Sequence, residues 1–239
     1  MRVGVVLPTF HSDAARVIRL ARAAEDVGLD GVFLYDHLWH IGKRDKPALH
    51  GPTLMAGVAA MTSRLKIGSL VARVGLQRNE VLARMMATTD RVAPGRVIAG
   101  LGIGDGLSRD ENETYGIEFA PRPGRLAEMV ACSRAIRAEG IPVWVGGASD
   151  AVWEIAAGEA DAVNVWDVEP STVERAALVV QPAEVTWAGL VRMSAGREAI
   201  SDRLRALAGA GATWAIAAIV GMKDEDLAPF AEIAATTFP

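Results

Sequence analysis

The chain has one cysteine, Cys132, among its 239 residues, which excludes an internal disulfide or a thiolate metal cluster and fits a reducing compartment. Its neighbours Val130, Ser133 and Ile136 predict a buried helical thiol with no catalytic part. No apolar run approaches the ~18 residues of a membrane span. The opening MRVGVVLPTF has too short an apolar stretch, and no small-residue cleavage pattern, for a signal peptide. A cytoplasmic protein with no membrane partner is the expectation. Basic stripes are absent too, and the net charge of −4 makes nucleic acid an unexpected partner. The four histidines, His11, His37, His40 and His50, form neither H-x-H on the first strand nor H-E-x-x-H on a helix, so no metal is expected. His40 and His50 fall in a polar stretch and are expected to be solvated. A G-x-S-x-G elbow is missing, which argues against a serine hydrolase.

What is present is apolar material in short, regular pieces. Hydrophobic residues make up 51% and charged residues 23%, enough for a large core. Aliphatic runs predict strands over 3–7, 32–35, 65–71, 96–101, 142–145, 161–166, 185–191 and 214–220. Between them, helical spacing predicts helices beginning at a Ser12 or Asp13 cap and over 52–61, 80–92, 122–139, 149–157, 171–179, 198–208 and 225–236. The third of these presents Val81, Leu82, Met85, Met86 and Val92 inward, and Pro229 kinks the last. Eight units of about 30 residues, with strands apolar on both faces, predict a parallel sheet closed into a compact (β/α)8 TIM barrel of the α/β class. No linker divides residues 1–239, so one domain is expected. An open doubly wound sheet is the alternative. Glycines 100, 102, 104 and 106 do not make G-x-G-x-x-G and follow the fourth strand rather than the first.

That glycine-rich strand end, GRVIAGLGIGDGLSRDENETYG (95–116), is the most informative stretch. Glycine after a buried strand permits a tight turn and the close approach of a flat or phosphorylated ligand. The loop expected over 105–122 is long for a compact domain, itself a sign of function. Barrel chemistry sits at the carboxyl ends of strands, which also selects Asp36 and His37, a pair able to shuttle a proton or simply to brace a loop. Trp39 beside them suits a pocket wall that stacks on a planar ring. Gly146, Gly147, Ala148 and Ser149 join the fifth strand to a helix, where free N–H groups suit a phosphate or make an ordinary capped turn. Asp150 in that helix's first turn favours the dipole but repels a phosphate.

Taken together, AEDVGLDGVFLYDHLW (24–39), residues 63–104, DGLSRDENETYGI (105–117), PVWVGGAS (142–149) and ADAVNVW (160–166) resemble the luciferase-like monooxygenase superfamily, including its deazaflavin (F420) branch. The resemblance implies a barrel binding F420 or FMN at its mouth, with the Ala/Arg/Val-rich composition tilting the choice toward F420. It implies that Asp36 and His37 lie near the cofactor ring, with His37 catalytic. Ser69, Leu70, Val71 and Ala72 match a segment that often carries a non-prolyl cis peptide, expected at Leu70–Val71. Gly104, Asp105 and Gly106 match the strand end facing the cofactor, and residues 146–149 the turn approaching its phosphate. The implied activity is an oxidoreductase or monooxygenase, by hydride transfer or oxygen insertion on a small organic substrate. Homodimer formation through the second and third helices is implied as well. A catalytically silent barrel, a weak flavin binder or dimer partner, is the alternative within that superfamily. The links after Trp166 and Val191 are shorter than the lid-forming insertions common there.

Overall fold

The structure, a computed structural model, describes residues 1–238. In chain order the elements are β1 (Arg2–Val6), α1 (Ala14–Asp26), β2 (Gly31–Leu34), β3 (Trp39–His40), β4 (Lys43–Pro47), α2 (Gly51–Met61), β5 (Lys66–Ser69), β6 (Ala72–Arg73), α3 (Asn79–Val92) and β7 (Val97–Gly102). There follow α4 (Gly106–Thr114), α5 (Arg122–Arg137), β8 (Val143–Gly146), α6 (Asp150–Glu159), β9 (Ala162–Trp166), α7 (Pro170–Val179), β10 (Glu184–Val191), α8 (Arg197–Gly209), β11 (Ala212–Ile219) and α9 (Leu227–Thr237). The strands pair in parallel from β1 through β2, β5/β6, β7, β8, β9 and β10 to β11, which pairs back onto β1. β5 and β6 are one barrel strand interrupted at Leu70–Val71, whose peptide is cis, so the eight-stranded (β/α)8 barrel expected from the sequence is closed.

Because strand side chains alternate, each barrel strand feeds two cores. The inner core stacks Phe33 on Trp144 at 5.4 Å between ring centroids, with Trp214 edge-on to each at 5.7 Å. Ile98, Ala188 and Ile216 pack in the same cluster. So large an aromatic layer demands small neighbours: a Cβ on Gly68 would lie 2.5 Å from the Phe33 ring. The outer core packs Val5, Val32, Val97, Val163 and Trp187 against the helices. Cys132 is wholly buried there, and burial, with Glu128 and Glu80 nearby, pushes its thiol up to about 12. No helix among the described residues is long and apolar enough to cross a membrane.

Four departures from the sequence reading matter. The polar stretch expected around His40 contains the antiparallel β3–β4 hairpin. The long loop expected over 105–122 contains α4, whose buried residues Ser108, Glu111 and Asn112 are all polar. Val81 and Val92 of α3 stand 47% and 49% exposed; Leu82 and Met86 face inward as expected. The last helix starts at Leu227 after a 3-10 turn over Asp224–Asp226. Pro229 therefore sits in the first turn, where its missing N–H has no intrahelical partner to lose, and makes no interior kink.

Candidate active site

β2 ends at Leu34, and the next residues turn Tyr35, Asp36 and His37 onto the rim of the barrel. Phe10 stacks on Tyr35 at 5.4 Å and also meets the rings of His37 and His40. Asp36 is 4% exposed. Its Oδ2 accepts from the Arg73 amide at 3.0 Å, while its Oδ1 lies 3.6 Å from His50 Nε2 and is buried without a hydrogen-bond partner among the described residues. Burial pushes the Asp36 carboxyl above the usual range, against the weaker pull of the Arg73 amide and the neighbouring cations. His50 is thus not merely solvated: it faces Asp36 and bonds Thr53 at 2.7 Å. His40 packs on Phe10 at 4.9 Å.

Glu111, from α4, is 1% exposed and bridges two partners. His37 Nδ1 lies 3.0 Å from its Oε1, and the Arg73 guanidinium donates to its Oε2. Arg73 is itself buried, and its Nη1 donates to the Ser108 carbonyl at 2.7 Å. Burial favours neutral Glu111, but the His37 and Arg73 hydrogen bonds and charges outweigh it and hold the carboxyl below the usual range. A cavity of about 480 Å³ opens beside this cluster between the hairpin and α4, lined by His37, Trp39, Arg44, Leu107 and Glu111. Trp39 forms its wall, stacked on Tyr115 with the Arg44 guanidinium 5.4 Å from its ring.

The other sequence-selected residues divide by what their side chains touch. Ser69 is fully buried and donates to the Gly100 carbonyl at 2.8 Å; Leu70 joins the inner core; Ala72 joins the outer one. Val71 reaches the ends of β7 and β8, where Cβ atoms on Gly102 and Gly146 would meet it at 2.3 and 2.9 Å. Gly104 has φ +70, and a Cβ there would meet Ser108, Arg73 and Phe119 within 3.2 Å. The chain's own side chains, not an open approach for a ligand, fill that space. Asp105 caps α4, accepting from the Ser108 amide and hydroxyl at 3.0 and 3.1 Å. Burial works against its charge, but those bonds hold it below the usual range. Gly106 opens α4 with free space above it.

At the turn 146–149, Gly147 has φ +149, Ala148 is exposed, and Ser149 is the N-cap residue of α6 without making a capping bond. Its Oγ instead accepts from Arg122 Nη2 at 2.9 Å. Arg122 belongs to a basic group with Arg109 and Arg125, the latter two lying 5.0 and 4.1 Å from the Phe119 ring. Across the mouth, Trp166 and Leu190 share the inward parity of β9 and β10, Val220 follows the end of β11, and the three stand 43%, 41% and 46% exposed. Trp166 meets Tyr35 edge-on at 5.9 Å.

One rim therefore brings together residues 36–37, 69–72, 104–106 and 146–149, through Asp36 to the Arg73 amide, Gly104 against the Arg73 side chain, and Val71 to Gly146. Sequence reasoning missed Arg73, Glu111, His50 and Arg122. Only the Asp105–Ser108 spacing, a cap followed by a helical turn, marked α4 in the sequence.

The luciferase-like monooxygenase family model matches residues 1–140, which contain Asp36, His37, Arg73 and Glu111. An F420-dependent glucose-6-phosphate dehydrogenase from Kineococcus radiotolerans is 36% identical over 116 residues, 48% of this chain and 33% of that protein. A phthiodiolone/phenolphthiodiolone dimycocerosates ketoreductase from Mycobacterium tuberculosis is 35% identical over 91 residues, 37% of this chain and 23% of that one. The chain thus spans, in these matches, a third or less of either relative's length. Among solved structures, an F420-dependent secondary alcohol dehydrogenase in complex with an F420-acetone adduct superposes with a TM-score of 0.84 at 14% identity, over 100% of this chain and 99% of that one. The coenzyme F420-dependent tetrahydromethanopterin reductase from Methanopyrus kandleri gives 0.78 at 14% identity over all of both chains. At such identities these structures speak to the fold. The family model covers more than half of the chain, and the protein belongs to the luciferase-like monooxygenase family.

Proposed function

We propose that the protein is an F420-dependent oxidoreductase that binds the deazaflavin at the barrel mouth and exchanges a hydride with a small organic substrate beside His37. The observation that carries this reading is an imidazole with one nitrogen tied to a buried carboxylate and the other without a partner among the described residues, at the wall of a cavity. The surroundings fit a flat ring with a charged tail. Trp166, Leu190 and Val220 offer an apolar seat that water otherwise covers, and Asp36 Oδ1 is a buried polar atom without a hydrogen-bond partner among the described residues. Arg122 brings positive charge to the amides of the 146–149 turn, which offsets Asp150 and suits a phosphate. F420 stands in the printed names of the Kineococcus relative and of the two superposed structures, which supports F420 over FMN.

Bound F420 supplies two-electron hydride chemistry. The chain's part is to seat the ring on the apolar residues, hold the phosphate at Arg122 and Ser149, exclude water with Trp39 and Leu107, and move a proton at His37 Nε2. The outward faces of α2 and α3, where Met61, Val81 and Val92 are about half exposed, suit a second copy of the chain. Absorbance and fluorescence titration of the purified protein with F420 and with FMN tests the cofactor. Saturable F420 binding is expected. Binding of FMN alone overturns the choice of cofactor, and binding of neither supports the catalytically silent barrel instead.

A further inference from the structure

Glu111 has a partner on each oxygen, and the two partners leave it little freedom. Arg73 is 3% exposed and can only donate, so Oε2 must accept from it. Its other terminal nitrogen is fixed on the Ser108 carbonyl, and its backbone amide on Asp36, so the guanidinium cannot swing away without stranding a buried charge. The carboxylate is held in its ionised form by these contacts, and an ionised carboxylate accepts only. A neutral imidazole 3.0 Å from Oε1 must therefore put its single proton on Nδ1. The remaining nitrogen, Nε2, then carries a lone pair.

We propose that Glu111 is a positioning residue that locks His37 in the Nδ1–H tautomer, so that neutral His37 presents Nε2 at the cavity as a proton acceptor. The inference rests on the functional reading above for its use in catalysis, but the tautomer is a property of the protein alone. Arg73 is the anchor of the device, and Glu111 the link that carries its orientation to the ring. Without the link, no side-chain hydrogen bond among the described residues orients the His37 ring. A buried carboxylate plays the same part toward histidine in serine proteases, where replacing it by the amide leaves the geometry intact, installs the wrong tautomer and lowers kcat ~10⁴-fold.

The substitution Glu111→Gln makes the same distinction here. Arg73 still requires an acceptor, so the amide oxygen stays on Arg73 and the NH2 group turns to His37 Nδ1. A donor there demands an unprotonated Nδ1, and the proton moves to Nε2. The test is a multiple-bond 1H–15N correlation of the histidine side chains in 15N-labelled protein, at mildly alkaline pH and without cofactor. His37 is assigned by the signal lost in His37→Asn. The wild type is expected to show a protonated Nδ1 and an unprotonated Nε2, and Glu111→Gln the reverse. With F420 added, Glu111→Gln should bind with little change in Kd while kcat falls by about 10²–10⁴. A wild-type His37 protonated at Nε2, or a Glu111→Gln protein that keeps Nδ1–H, overturns the proposal. If Glu111→Gln does not fold, the wild-type tautomer still decides. Because that spectrum needs no cofactor, failure of F420 binding and failure of the tautomer lock are separate results.

Discussion

On the N-terminal side of the mouth, Asp36, Arg73 and Glu111 are each less than a twentieth exposed and hold one another in place. On the C-terminal side, Trp166 of β9, Leu190 of β10 and Val220, just past the end of β11, leave large apolar side chains exposed to solvent. Charges are buried where burial is costly, and large apolar groups are exposed where burial would stabilise. Each choice opposes stability and so asks for a purpose. The first half fixes directional chemistry, and the second offers an undirected surface. The family match over residues 1–140 falls on the half that fixes geometry.

Four substitutions test this contrast, from the largest expected effect to the smallest. Replacing Arg73 by Met removes the buried guanidinium that pairs with Glu111, and should cost about 3–5 kcal/mol in denaturant unfolding. A loss below ~1 kcal/mol would mean that the buried network is not what stiffens the N-terminal rim. Changing His37 to Ala, whose side chain is partly exposed, should lower turnover by about 10²–10⁴ with little change in unfolding midpoint; unchanged turnover removes its assigned role. Gly68→Ala drives a methyl group into the Phe33 ring beneath the mouth and should cost about 1–3 kcal/mol. At Leu190, substitution by Ser should change stability by no more than ~0.5 kcal/mol, because the side chain is 41% exposed, yet weaken F420 binding if it belongs to the proposed seat. Comparable losses at Arg73 and Leu190 would erase the distinction between the halves.

The two buried carboxyls also respond to acid in opposite senses. Asp36 has a raised folded-state pKa, so as pH falls from neutral it binds its proton before the unfolded chain does, and stability rises. Glu111 has a depressed one: its contribution is complete above the ordinary glutamate range and is lost as pH falls through the folded value. Stability measured against pH should therefore fall less steeply at the acid end in Glu111→Gln, and Asp36→Asn should remove the rise that precedes it. Identical profiles for wild type and both variants would contradict these assignments.

The barrel could be read from the sequence because a parallel sheet covered on both faces writes itself as short, continuous aliphatic runs. Val97, Ile98 and Ala99 or Val143, Trp144 and Val145 are apolar whichever way they point. The rim is written differently. All five residues of β4 are exposed and carry no alternation, so the hairpin leaves no periodic trace. The helix α4 buries Ser108, Glu111 and Asn112 in place of the aliphatic stripe that marks a helix. Glu111 and Arg73 look like surface charges in one dimension; only the fold shows that they neutralise each other. His37 was visible because it follows a strand end, whereas its partner comes from a segment 74 residues later.

In the proposed function, a single flat cofactor lies across both halves of this mouth. The most direct measurement is amide and side-chain NMR perturbation on adding F420 to the labelled protein. Signals from His37, Val71, residues 146–149, Trp166 and Leu190 are expected to shift together with one saturation curve. Perturbations confined to another face of the barrel, or a saturating F420 titration that leaves His37 and Trp166 unmoved, would contradict it.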